Sequence, residues 1–148
     1  MIGLLQRVTS ASVDVDGERI AAIDAGLLVL VGVQQGDTER QADRLLERLL
    51  GYRVFTDAEG RMNLGLRDIA GGLLLVPQYT LAADTRSGTR PGFSTAADPA
   101  HGSALFNYLC GIAAQQHAPA ASGRFGADMQ VALVNNGPVT FWLEVSPK

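Results

Sequence analysis

The side chains that most often carry hydrolytic chemistry are scarce in this sequence, and their spacing works against the common sites. There are two histidines, His101 and His117, and one cysteine, Cys110. The histidines fall at opposite ends of one predicted helix. At the rise of an α-helix they stand about 24 Å apart, too far to share a ligand in a zinc site. Cys110 lies mid-helix beside an apolar stripe, where a thiol packs like a small hydrophobe. No P-loop, no Gly-x-Gly-x-x-Gly after a strand and no Gly-x-Ser-x-Gly elbow occurs. The chemistry of an enzyme built this way rests on backbone groups, hydroxyls or the substrate itself. No metal and no cofactor are expected.

Two segments offer such groups. Pro77-Gln78-Tyr79-Thr80 ends an apolar run with polar groups. Backbone N–H groups released at a strand end can point at an ester oxyanion. Pro77 has no N–H, so the donors begin at Gln78. Thr80 offers a hydroxyl, but no histidine or lysine is placed in the sequence to activate it. The second segment is Asn135-Asn136-Gly137-Pro138. Its glycine permits close approach of another backbone, and its proline fixes φ and admits a cis bond. Taken alone, a strand-end turn explains the first segment as well as a site does, and a plain turn explains the second better.

The elements that must hold these segments are legible from patterning. Residues 12–23 read as a hairpin, with Val13-Asp14-Val15 and Arg19-Ile20-Ala21 flanking Asp16-Gly17, a pair suited to a tight turn. Gly26 opens Leu27-Leu28-Val29-Leu30-Val31-Gly32-Val33, the continuous apolar run of a strand covered on both faces. A helix is predicted over residues 38–50. Ala42, Leu45, Leu46, Leu49 and Leu50 form its stripe, Thr38 and Gln41 have capping-box spacing, and Gly51 supplies a stop. Tyr52 to Phe55 and Met62 to Leu64 suggest a second hairpin, and Gly72 to Val76 a second buried strand. Residues 84–98 form a long loop, and Asp98-Pro99 starts a helix with Leu105, Tyr108, Leu109 and Ile112 as its core face. Gln130–Val134 and Phe141–Val145 are two closing strands.

At 148 residues, 47% apolar and 18% charged, the chain suits a single domain spanning residues 1–148. No apolar stretch reaches the ~20 residues of a membrane span. The start of the chain lacks the marks of a signal peptide, and one cysteine suits a reducing compartment, so a cytoplasmic protein is expected. A net charge of −3 argues against a module that grips nucleic acid along its length. It leaves room for contact with one RNA end, and the densest basic patch is Arg86-Ser87-Gly88-Thr89-Arg90.

Taken together, the runs resemble one family along essentially the whole chain. They include Gln6-Arg7-Val8, Gly51-Tyr52-Arg53-Val54-Phe55 and Gln78-Tyr79-Thr80-Leu81-Ala82-Ala83-Asp84-Thr85. Gly123-Arg124-Phe125, Asp128-Met129-Gln130-Val131 and Asn136-Gly137-Pro138-Val139-Thr140-Phe141 complete them. The chain resembles the bacterial D-aminoacyl-tRNA deacylases, also called D-tyrosyl-tRNA deacylases.

That resemblance implies an α/β fold, β-rich, with a curved, barrel-like mixed sheet and two main helices. It implies hydrolysis of the ester joining a tRNA 3′ end to a D-amino acid or glycine. It implies a homodimer with a cross-subunit site and no membrane. Gly137-Pro138, in cis, would reach the partner's pocket, receive the substrate's amino group and exclude an L side chain. Selection then works by rejection, which also admits glycine. Arg7 would steady the Gly-Pro carbonyls.

The family's other motif is usually Ser-Gln-x-Thr, and here its first position is Pro77. A serine nucleophile at that position is therefore excluded. The mechanism implied is substrate-assisted: the terminal ribose 2′-hydroxyl helps activate the attack, and N–H groups near Gln78 and Tyr79 hold the carbonyl. Thr80 shapes the pocket or binds the adenosine. Two rival readings are a threonine-nucleophile esterase of small esters and an inactive relative that only binds RNA ends.

Overall fold

A computed structural model describes residues 1–147. Strand β1 (Ile2–Val15) is the spine of the sheet. Along one edge it pairs with β8 (Met129–Glu144); along the other it pairs first with β3 (Gly26–Gly32) and then with β2 (Glu18–Ile23), all antiparallel. The β1–β2 turn is the expected one, with φ of 51° at Asp16 and 78° at Gly17. Those positive angles match the twist of the flanking strands. Strand β6 (Gly72–Pro77) pairs parallel with β3, and β7 (Ala120–Ser122) parallel with β6. The mixed sheet curls until β2 packs against β6 and β7. At the start of the parallel pair the backbones nearly touch, since a Cβ on Gly26 would stand 2.0 Å from the Gly72 carbonyl. Only glycine fits there.

The two apolar runs are buried on both faces, as their patterning predicts. Leu28, Leu74 and Val76 point into the curl with Val8 and Val13. Leu27, Val29, Leu73 and Leu75 point the other way, against Leu45, Leu46 and Leu49 of α1 (Glu39–Gly51) and Leu105, Phe106 and Leu109 of α3 (Pro99–Gln116). Each such leucine withdrawn from water contributes roughly 1.5–3 kcal/mol. A single-turn α2 (Leu66–Ile69) precedes β6. Helix α1 carries the predicted box, with the Thr38 N–H donating to Gln41 Oε1 at 2.8 Å. Gly51 is its last helical residue rather than a left-handed stop, and the chain leaves through Tyr52 in an extended conformation.

Three readings from the sequence need correction. The core stripe of α3 is wider than read: Phe106 and Ala113 are buried with Leu105 and Leu109, while Tyr108 and Ile112 pack against the core half-buried. Tyr108 also donates its hydroxyl to Asp43 of α1 at 2.6 Å. The second hairpin shrinks to β4 (Phe55–Thr56) and β5 (Met62–Leu64). Tyr52–Val54 lie outside it, and the Val54 carbonyl is taken by the Arg7 guanidinium at 2.7 Å. Finally, the two closing strands are halves of one long strand, β8, rather than neighbours joined by a turn. Both halves lie along β1, and the segment between them bulges outward. Among the described residues no helix is long and apolar enough to cross a membrane.

Candidate active site

Strand β6 ends with Pro77 opposite Val31. The Gln78 N–H then donates to the Val31 carbonyl at 2.7 Å and extends that ladder. The donor expected first in the oxyanion role is therefore already occupied. The chain continues into a 3-10 turn, Tyr79–Ala82. The first N–H groups of such a turn have no partner within it. Those of Tyr79 and Thr80 meet no backbone acceptor among the described residues. The free pair of donors sits one residue later than the sequence suggested.

Thr80 is exposed, and its hydroxyl accepts a hydrogen bond from Gln78 Nε2 at 2.5 Å. An amide donor fixes the hydroxyl but cannot take its proton. Both imidazoles are engaged elsewhere: His101 Nε2 lies 2.6 Å from the Asp37 carbonyl and His117 Nε2 2.6 Å from that of Gly71. The described contacts give Thr80 no activating base. Beside this turn opens a cavity of about 570 Å³. Pro77, Gln78 and Tyr79 form one wall, Phe125, Ala127, Met129 and Val131 another. Its volume lies in the range of small-ligand sites, and its lining is largely apolar with few polar groups, as such sites are. Phe125 and Met129 entered the sequence reading only within the runs that carry the resemblance, with no role at the site. The signal was an aromatic and a thioether four residues apart at the entry to β8.

The other predicted segment is built by the bulge of β8. Val8 pairs with Asn135 and Gln6 with Thr140, so four residues of β8 stand opposite one of β1. Asn135 closes the neck of the bulge, its Nδ2 donating to the carbonyls of Arg7 at 2.9 Å and Val139 at 3.0 Å. At its tip Asn136, Gly137 and Pro138 are exposed, and the Gly137-Pro138 bond is cis. Arg7 braces it from below. Its Nε donates to the Asn136 carbonyl at 3.1 Å while another guanidinium nitrogen holds Val54. The carbonyl held is that of Asn136, one residue before the pair the sequence reading named.

Within one chain the two motifs do not meet. Pro77 lies opposite Val31, which faces Gly3, whereas the bulge sits beside Arg7. Along the curled sheet, three strand spacings and four residues of offset lie between them, a path of roughly 20 Å.

Comparisons with known proteins place the chain in a family. Residues 4–144 match the family described as D-Tyr-tRNA(Tyr) deacylase. A D-aminoacyl-tRNA deacylase of Thioalkalivibrio sulfidiphilus is 64% identical over 147 residues, covering 99% of each chain. One of Pseudomonas putida is 66% identical over 145 residues, covering 98% of this chain and all of the relative. The chain belongs to the D-Tyr-tRNA(Tyr) deacylase family. Among solved structures, one named c-Myc DNA Unwinding Element Binding Protein superposes with a TM-score of 0.94 at 35% identity, covering 99% of both chains. A probable eukaryotic D-amino acid tRNA deacylase, at 17% identity and a TM-score of 0.79 over 97% of this chain, shares the fold. The match of the deacylase family runs through β6, the cavity wall and the β8 bulge alike.

Cys110 stands apart from the cavity and the bulge, near Ala113 and Ser122 between α3 and β7. Burial pushes its thiol up to about 11. At pH 8 only about one thiol in a thousand is then thiolate, the reactive form. Iodoacetamide is expected to leave the folded protein unlabelled at pH 8 while labelling the urea-unfolded chain, as read by mass spectrometry.

Proposed function

We propose that the protein hydrolyses the ester of D-aminoacyl-tRNA, releasing tRNA and the free D-amino acid, in a site completed by a second copy of the chain. The carrying observation is that a family match along the chain includes two motifs which the fold holds too far apart to act together. A homodimer resolves this, with Gly137-Pro138 of each copy reaching the cavity of the other. The face of β8 supports the same reading: Val134 is 56%, Phe141 37% and Trp142 52% exposed, apolar surface suited to cover by a partner.

In this site the terminal adenosine occupies the cavity beside Phe125 and Met129. The Tyr79 and Thr80 N–H groups receive the carbonyl oxygen as negative charge develops on it. Gln78 holds the Thr80 hydroxyl in place. Without a base on Thr80, the ribose 2′-hydroxyl of the substrate assists the attack, and that group also separates RNA from DNA. Gly137-Pro138, braced by Arg7, stands where an L side chain would go. Glycine, with hydrogen in both positions, passes the same filter. The protein acts in the cytoplasm, where tRNA is charged.

The test is to offer the purified protein D-tyrosyl-tRNA and a D-tyrosine alkyl ester in parallel. Turnover of the tRNA alone is expected. Equal turnover of both would point to a small-ester esterase, and RNA binding without turnover of either to an inactive relative. Thr80→Ala is expected to slow hydrolysis roughly 2- to 10-fold, the worth of one hydrogen bond, without abolishing it. No acyl-enzyme should accumulate in a rapid quench. An aminoacyl adduct on Thr80 would replace this mechanism with a nucleophilic one.

A further inference from the structure

Tyr79 borders the cavity on one side and stacks on Phe93 on the other, with ring centroids 4.9 Å apart and planes inclined by 24°. Both rings remain open to solvent, at 40% and 39% exposure. The loop that carries Phe93 is firmly held. Asp84 and Gly92 exchange backbone hydrogen bonds at 2.7 and 2.9 Å, and Thr95 Oγ1 donates to the Ala82 carbonyl at 2.6 Å. From Thr85 to Ala97 the chain has two arginines and no acidic residue, within a protein of net charge −3. Arg86 is forked onto Asp84 at 2.9 and 2.8 Å, which holds that carboxyl down to about 2. Arg90 joins no ion pair among the described residues.

We propose that Tyr79 and Phe93 form a stacking platform for the nucleotides preceding the terminal adenosine of the RNA, with Arg90 supplying a cation for their phosphates. This rests on the reading of the cavity as the adenosine site. A single strand leaving the cavity past Tyr79 meets the stacked rings next. Every base has a π-face, so such a platform binds single strands with little sequence preference. The arginine loop is joined to the platform through Gly92 and Phe93, and its charge suits a phosphate chain. Contact with one or two phosphates would hold the end of the RNA and not its length.

The experiment uses an uncharged acceptor-stem hairpin whose penultimate nucleotide is 2-aminopurine, together with hydrolysis of D-tyrosyl-adenosine, which lacks that nucleotide. The parent protein is expected to quench the 2-aminopurine. Phe93→Leu should weaken binding about 5- to 100-fold, the worth of one stacked base. Arg90→Gln should reduce the slope of log affinity against log salt by about 0.7, as for one phosphate contact on a single strand. Both variants should hydrolyse D-tyrosyl-adenosine at the parental rate. Absence of quenching in the parent, or quenching unaltered in Phe93→Leu, overturns the proposal. Loss of D-tyrosyl-adenosine hydrolysis in step with RNA binding also overturns it, because Phe93 would then only prop the site. If the parent hydrolyses no aminoacyl ester while quenching still depends on Phe93, the deacylase reading falls and the platform stands.

Discussion

Replacing Gly137 with alanine is expected to cut D-aminoacyl-tRNA turnover about 100-fold while the protein stays folded, because displacements near 1 Å at a reacting centre cost that much. Gly137 has φ of +127°, a conformation in which an L side chain is strained. An added Cβ would stand 2.8 Å from Val139 Cγ2 and 2.9 Å from an Arg7 guanidinium nitrogen. The tip must shift, and Arg7 with it. The strain is of order 1–3 kcal/mol and sits in an exposed bulge, so thermal unfolding should move only slightly. The same variant tests the proposed sharing of one site between two copies. Ala127→Trp would fill the cavity and inactivate the other half. Mixing the two inactive variants should restore about a quarter of the parental activity, because half the dimers are mixed and each has one site free of both lesions. No recovery on mixing would place both halves of the site in one chain.

Arg7→Lys is the second large effect. One guanidinium spans the carbonyls of Val54 and Asn136, joining the segment after α1 to the β8 bulge. A lysine ammonium is a point donor on a flexible stem and cannot reproduce that fork. Each lost hydrogen bond from a charged group is worth about 1.5–3 kcal/mol, so the bulge loosens severely. On the proposed reading, rejection of L substrates depends on a backbone that does not yield. Arg7→Lys is therefore expected to slow D-tyrosyl-tRNA hydrolysis and to admit L-tyrosyl-tRNA, measured as the ratio of the two rates. An unchanged ratio would remove Arg7 from the chiral filter.

Much of the fold was legible because it follows from local pattern. The Asp16-Gly17 hairpin, the two-sided burial of Leu27–Val31, the capped start of α1 and the Asp98-Pro99 start of α3 each have a short-range cause. What escaped depended on distant partners. Strand β7 is three small residues, Ala120–Ser122, whose only strand signal is the edge of β6 beside them. The collinear halves of β8 looked like separate strands because a bulge and a turn use the same residues, Asn135 to Pro138. Tyr52–Val54 read as strand, but Arg7, 47 positions before Val54, claims the Val54 carbonyl.

The site shows the same division. Gln78, Thr80, Gly137, Pro138 and Arg7 stand out by residue type and by resemblance, yet the spent N–H of Gln78 could only be seen once β3 lay beside it. Nor does any sequence pattern give the distance between the two motifs. That distance comes from a register across four strands, and it is what the proposal of a second copy at the site rests on. Phe125 and Met129 were visible as residues and invisible as a wall, since the cavity exists only where the start of β8 meets the end of β6.

The most direct test of the account is hydrolysis of D-tyrosyl-tRNA and L-tyrosyl-tRNA, on the same tRNA, by the purified protein at equal concentrations. The account predicts multiple turnovers of the D ester, while the L ester decays no faster than it does in buffer. Glycyl-tRNA should be hydrolysed too, since it presents hydrogen on both sides. Comparable rates on the D and L esters would contradict a rigid Gly137-Pro138 barrier and the reading of the site built on it.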